Sequence, residues 1–168
     1  MSPWVRPAPD LEPQLDQLRT GSDSPADYVS AVLSTVHDRL ALRDGAAEVT
    51  ATAAEVWADG GGSSQDLTHV ALGALRHAGV PARYVTGYLH PSQSPEVGET
   101  VAGTSHAWLE YWDGEWIGYD PVHAMAQTAR HVVVARGRDH ADNPPLRGIY
   151  ATAGGSEMFV DVEITRLR

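Results

Sequence analysis

Three side chains in this chain could cooperate in nucleophilic chemistry: Ser64, His106 and Asp120. Ser64 follows Gly60-Gly61-Gly62-Ser63 and opens an amphipathic stretch, so its position predicts a helix N-terminus. The macrodipole is positive there, and the first backbone N–H groups have no intrahelical partner. Such groups lower a thiol's pKa and stabilise a developing oxyanion. The glycines upstream let the backbone approach a substrate acyl group without a Cβ clash. The same residues also read as a glycine-rich loop, a capping serine and a helix, so Ser64 by itself does not establish chemistry.

His106 and Asp120 fall on two predicted strands joined by Asp113-Gly114, a two-residue hairpin signal. Counting outward, Trp112 should pair with Glu115 and Tyr111 with Trp116, which puts His106 opposite residue 121. Asp120 is then a near or diagonal neighbour, close enough for a carboxylate to orient an imidazole. An ordinary strand pair would look the same.

The elements that must position these groups are legible in outline. Pro3, Pro7, Pro9 and Pro13 predict an extended arm over residues 1–20, ahead of a single domain over 21–168. Ser24 reads as an N-cap with Pro25 at N1, and Val29, Val32, Leu33, Val36 and Leu40 form one buried helical stripe. Thr52 and Glu55 form a capping box for a short helix through Trp57. The helix opened by Ser64 carries Leu67, Val70, Ala71, Ala74, Leu75 and Ala78 on its apolar face and stops at Gly79. Strands are predicted over 83–89, 106–112, 115–119, 131–135 and 158–167. Helices first and antiparallel strands afterwards indicate an α+β domain.

Composition narrows the function classes. The 168 residues carry a formal net charge of −10, which argues against non-specific nucleic-acid binding. All 12 basic residues are Arg, a bias expected of a G+C-rich genome. There is no cysteine, so disulfides and thiolate metal sites are excluded. No apolar run approaches a membrane span, and the first residues lack a signal-peptide core, so a cytoplasmic address with no membrane partner is the expectation. The eight His show no His-x-x-x-His spacing on a helix, and no metal is expected; His69 should simply pack beneath the site.

Several linked blocks add a resemblance. Gly62-Ser63-Ser64-Gln65-Asp66, Gly79-Val80-Pro81-Ala82-Arg83, Arg83-Tyr84-Val85-Thr86-Gly87-Tyr88, Ser105-His106-Ala107-Trp108 and Trp116-Ile117-Gly118-Tyr119-Asp120-Pro121 occur in that order. A later stretch runs from Gly137-Arg138-Asp139 through Asp142, Pro144-Pro145 and Gly148. Together they resemble the bacterial transglutaminase-like superfamily over about residues 21–168. The resemblance implies a papain-like core, with helices packed on an antiparallel sheet. It also implies a nucleophile at position 64, His106 as general base and acid, and Asp120 as the orienter of His106. The reaction would be acyl transfer or hydrolysis on an amide or thioester held by a peptide, a protein or an acyl carrier, with no cofactor.

The family nucleophile is cysteine, and here the position holds Ser64. A serine hydroxyl is too weak an acid to form an ion pair with His106, so His106 would have to remove its proton during attack. Three explanations compete: Ser-His-Asp catalysis, a catalytically silent binding or scaffold descendant, and an engineered Cys→Ser variant of an active enzyme. Ser63, Leu67 and Thr68 also depart from the usual family residues, which favours natural drift over a single engineered change. Gly62, Gln65 and Trp108 are the further candidate substrate contacts, Trp108 because it shares a strand face with His106. Arg138 with Asp139 reads first as a structural ion pair near the cleft and second as a substrate contact.

Overall fold

The computed structural model describes residues 1–43, 51–143 and 161–168. Its helices are α1 (Glu12–Gly21), α2 (Pro25–Arg39), α3 (Ala53–Asp59) and α4 (Ser64–His77). Its strands are β1 (Ala41–Leu42), β2 (Gly61–Gly62), β3 (Ala82–Leu89), β4 (Thr100–Ala102), β5 (Thr104–Trp112), β6 (Trp116–Asp120), β7 (Met125–Ala126), β8 (His131–Gly137) and β9 (Glu163–Thr165). An antiparallel sheet in the order β7-β6-β5-β3-β8 packs against the helices, which is the α+β arrangement expected. The Pro144–Gly148 stretch, and the Met158 and Val160 positions of the last predicted strand, lie outside the described residues.

The caps behave as their chemistry requires. Ser24 Oγ accepts the Asp27 amide at 3.2 Å, and Thr52 with Glu55 completes a reciprocal capping box. Val29, Val32, Leu33 and Val36 bury the expected face of α2. Helix α4 is central: Asp66 through Leu75 are all buried, because α2 and α3 cover one side and β3 and β5 the other. Tyr28 ties α2 to this helix by donating to Ala74 O at 3.2 Å.

The first 20 residues do not form an extended arm. Glu12–Gly21 is helical, and Val5, Ala8, Leu11 and Leu15 are buried in the main core. Pro13 sits in the first helical turn, where its missing N–H costs nothing. Gly73 provides the notch into which this segment docks: a Cβ there would meet Val5 O at 2.0 Å. The hydrophobic spacing Leu11, Leu15, Leu18 outweighs the prolines as a structural signal.

The β5–β6 register also differs from the hairpin count by one residue. Trp112 pairs with Trp116 and Leu109 with Tyr119, because Glu115 joins Asp113 and Gly114 in the turn. The Asp113 amide donates to Glu115 O at 3.0 Å, and Gly114 takes a φ of 80°. One further step sets Asp120 beside Trp108, and residues opposite one another share a face. His106, two residues along β5 from Trp108, projects to that same face. The two-residue count would have put Asp120 and His106 on opposite faces.

Glu110 is buried on β5 and bridges Arg83 at 2.5 Å and Arg136 at 3.0 Å, one on β3 and one on β8. Burial raises the Glu110 carboxyl, but the bonds from Arg136 and Arg83 outweigh it and hold it below the usual range.

Candidate functional site

Ser64 occupies the first helical position of α4, and Ser63, not Ser64, is the cap. Ser63 Oγ accepts the Asp66 amide at 3.3 Å, while Asp66 Oδ2 accepts the Ser63 amide at 2.9 Å. The Ser63-x-x-Asp66 pattern is the sequence signature of this box. It leaves the Ser64 hydroxyl outside the capping scheme. Ser64 Oγ instead accepts the Ala107 amide at 3.3 Å, which brings it beside β5 at the residue following His106. Thr68 reinforces the contact, placing its hydroxyl 2.7 Å from Ser64 O and 3.2 Å from Ala107 O.

Asp120 is fully buried and collects five donors. Oδ1 accepts the amides of Val122 and His123 at 2.9 and 3.3 Å. Oδ2 faces His106 Nε2 at 2.7 Å, His123 Nδ1 at 2.8 Å and His131 Nε2 at 3.2 Å. Burial raises the Asp120 carboxyl, but the hydrogen bonds from His106, His131 and His123 prevail and hold it well below the ordinary carboxylate range. An ionised Asp120 fixes the His106 tautomer with Nε2–H toward the carboxylate, so Nδ1 carries the lone pair. Ser63, Ser64, His106 and His123 line one cleft of about 410 Å³.

The nitrogens of His106 and His131 with the Asp120 carboxylate lie within 4.8 Å of one another and are the group that could hold a metal. The hydrogen-bond polarity opposes it. His131 Nδ1 accepts the Thr128 amide at 3.1 Å, so its proton resides on Nε2 and no lone pair is directed at the shared centre. The trio fits a hydrogen-bonded network around one carboxylate.

The candidate substrate contacts separate on inspection. Gln65 is half-buried beside Ser64, and its Nε2 is buried with no hydrogen-bond partner. Gly62 does not line the cleft; a Cβ there would stand 2.8 Å from the Asp66 carboxylate, so it makes room for the capping box. Trp108 is fully buried, donates to Gln127 at 2.9 Å and packs edge-on against His131 at 5.1 Å between ring centres. It supports His106 from behind instead of forming a wall. Gly87 on β3 accommodates this packing, since a Cβ would meet Val132 O at 1.9 Å and the Trp108 ring at 2.9 Å. Arg138 does not pair with Asp139. It forms a two-pronged bridge to Asp142 at 2.8 Å on the exposed surface, while buried Asp139 accepts the Ala141 amide at 3.0 Å. Neither lines the cleft.

His69 is fully buried on α4, and the partners its ring meets are His140 and Tyr84, not the residues that line the cleft. Its Nε2 accepts the His140 amide at 3.1 Å, and its ring tilts against Tyr84 at 5.3 Å. Burial pushes the imidazole down to about 4, against the partial opposing pull of Asp139 and Asp66. His123 and His131, which the sequence offers only as ordinary members of its eight His, join the site in the structure. Asp120-Pro121-Val122-His123 holds a signal for the first, an aspartate accepting the amides two and three residues on. His131 has no local signal, because it comes to Asp120 only through sheet pairing.

The sequence profile of the transglutaminase-like superfamily matches residues 14–121. An uncharacterized protein of Mycobacterium leprae, ML0607, is 48% identical over 106 residues, covering 63% of this chain and 38% of its own length. A protein-glutamine gamma-glutamyltransferase of Pseudomonas aeruginosa is 32% identical over 98 residues, 56% of this chain and 13% of its own. The chain thus spans well under half the length of these curated relatives. Among solved structures, a Cytophaga hutchinsonii protein described as a candidate cysteine protease superposes with a TM-score of 0.69 at 22% identity, over 85% of this chain and 46% of its own. That likeness carries the fold. No helix among the described residues is long and apolar enough to cross a membrane. With the profile covering most of the chain and the papain-like fold shared, this chain belongs to the transglutaminase-like superfamily.

Proposed function

We propose that the chain transfers or hydrolyses acyl groups of peptide or protein amides through Ser64, His106 and Asp120. The observation that carries this reading is the division of labour at the start of α4. Ser63 and Asp66 satisfy the cap, while Ser64 Oγ opens on the same cleft as an imidazole whose far nitrogen is held by a buried carboxylate. In the reaction, Ser64 Oγ attacks the acyl carbon and His106 Nδ1 takes the hydroxyl proton. The oxyanion faces the unbonded amides of the first turn of α4. Collapse breaks the bond to the leaving amine, which receives the proton from His106. Water or a second amine, deprotonated by His106, then attacks the acyl carbon, and the bond to Ser64 Oγ breaks as His106 returns the proton to that oxygen.

The test is acylation by a small activated ester, followed by mass spectrometry of the intact chain. A single adduct on the peptide containing Ser64, absent in Ser64→Ala and reduced at least about a hundredfold in His106→Ala, is the expected result. Equal labelling of the Ser64→Ala chain would exclude Ser64 as the nucleophile.

A second reading is a binding module that has kept the cleft and lost the reaction. It is favoured by one contact: the Ser64 hydroxyl is bonded to the Ala107 amide, and among the described residues no hydrogen bond joins it to His106. This reading requires saturable peptide binding without any turnover that depends on His106.

A further inference from the structure

The cleft around Ser64 adjoins a second cavity of about 710 Å³, and Arg130 lines both. Arg43 contributes to the smaller space, and Arg166 and Arg168 to the larger. Among the described residues lining either cavity there is no Asp or Glu. The chain as a whole carries 22 acidic residues against 12 basic ones, so a lining with four Arg and no Asp or Glu departs from the chain's average charge.

The bonding of these arginines keeps their charge unspent. Elsewhere Arg19, Arg83, Arg136 and Arg138 are matched to carboxylates. Around the cleft the partners are neutral backbone carbonyls. Arg43 donates to Asp59 O at 2.7 Å. Arg130 donates from Nε and Nη2 to His90 O and from Nη2 to Pro91 O, which leaves Nη1 uncommitted among the described residues. Arg166 donates to the carbonyls of Pro95 and Arg168. Backbone carbonyls fix the guanidinium groups in place without neutralising them, and a fixed guanidinium is suited to carboxylate recognition. The larger cavity adds apolar wall from Met125, Val132, Ile164 and Leu167.

We infer that this double cavity binds an acidic peptide segment, with carboxylates of the peptide on Arg43, Arg130 and Arg166 and an apolar side chain between them in the larger space. The inference rests on the acyl-transfer reading for its place beside Ser64, and it specifies the substrate class: peptides acidic around the reacting bond. Each cavity alone is the size of a small-ligand pocket. Positive charge spread over both, with an apolar wall between, matches an extended chain more closely than a single small anion. The excess of acid over base in the rest of the molecule opposes a nucleic-acid strand as the occupant.

Binding is measured on the Ser64→Ala chain, so that the result does not depend on turnover. Three peptides of equal length share one apolar residue and an uncharged fluorophore and carry Glu, Gln or Lys at the flanking positions. Fluorescence anisotropy is recorded at about 0.05 M and about 0.3 M salt. The Glu peptide should bind about tenfold more tightly than the Gln peptide at low salt and lose most of that advantage at high salt. Arg43→Gln and Arg130→Gln should each reduce the advantage of the Glu peptide over the Gln peptide by about threefold, and Arg130→Lys should keep more of it than Arg130→Gln. Circular dichroism of each variant checks that it is folded, and Arg43, at the cleft rim, provides the readout if Arg130→Gln unfolds. Equal binding of the Glu and Gln peptides, no binding of the Glu peptide at all, a Glu preference untouched by Arg43→Gln, or equally tight binding of oligo-dT of matched charge would each overturn the inference. If Ser64 of the native chain fails to take up an activated ester while the Glu preference stands, the acyl-transfer reading falls and the acidic-peptide site remains.

Discussion

His131 Nε2 and His106 Nε2 converge on the same oxygen of Asp120, at 3.2 and 2.7 Å. His131 is held from behind by the Thr128 amide, so its ring is the anchored member of the pair. It touches no cleft-facing atom of the proposed chemistry and acts through the carboxylate, which makes it a positioning residue.

His131→Ala should therefore lower the rate of Ser64 acylation without changing the residue that is labelled. A hydrogen bond to a charged group contributes about 1.5–3 kcal/mol, which corresponds to a loss of roughly tenfold to a hundredfold. The pH–rate profile should shift as well, because Asp120 would hold His106 with one donor fewer. A profile and rate equal to those of the native chain would show that His131 serves packing alone. His131→Gln, which keeps a donor, should recover part of the loss.

Ser64→Cys should produce a reactive thiol. The first turn of α4 and a protonated His106 both favour the thiolate, so its pKa should fall below the ordinary value of about 8.5. Iodoacetamide should alkylate it near neutral pH much faster than free cysteine. The decisive quantity is the dependence on His106: the double variant with His106→Ala should titrate at higher pH. A thiol that titrates at the ordinary value with or without His106 would mean that the imidazole and position 64 do not communicate.

Acid should weaken the fold through His69. In the unfolded chain this imidazole takes up a proton near pH 6.5, whereas in the folded chain burial delays uptake to about 4. Between those values the unfolded state binds more protons, so stability rises with pH through the window and is fully present above it. The loss on going from about pH 7.5 to about pH 4 should reach up to about 3 kcal/mol from this group. Urea midpoints at several pH values would show it, and His69→Leu should flatten the dependence. An equally steep pH dependence in His69→Leu would assign acid sensitivity to other groups.

The sequence displayed the parts of this molecule whose information is local. Ser24, Thr52 and Glu55 announce their helix starts through side chains that bond to amides three residues away, and the structure contains those bonds. The N-terminal helix was obscured because four prolines suggest extension, although Pro13 falls where a helix tolerates it. The β5–β6 register depended on whether Glu115 belongs to the strand or the turn, a choice of one residue with consequences for every face beyond it. His131 was beyond reach, since its approach to Asp120 runs through β8, β3 and β5 in turn. Arg43, Arg130 and Arg166 are scattered over more than a hundred positions, and only folding gathers them near Ser64.

Two bridges join residue 64 to residue 107, one from the Ala107 amide to Ser64 Oγ and one through the Thr68 hydroxyl to the carbonyls of both. Mechanically they weld the first turn of α4 to the middle of the sheet. A long substrate entering the cleft cannot gain room by prying nucleophile and base apart without rupturing both. Any widening has to come from lining residues outside that welded frame, such as Pro91 and Arg130, which belong to loops. The reacting end is then a fixed anvil, and the jaw that accommodates different chains is the loop side alone.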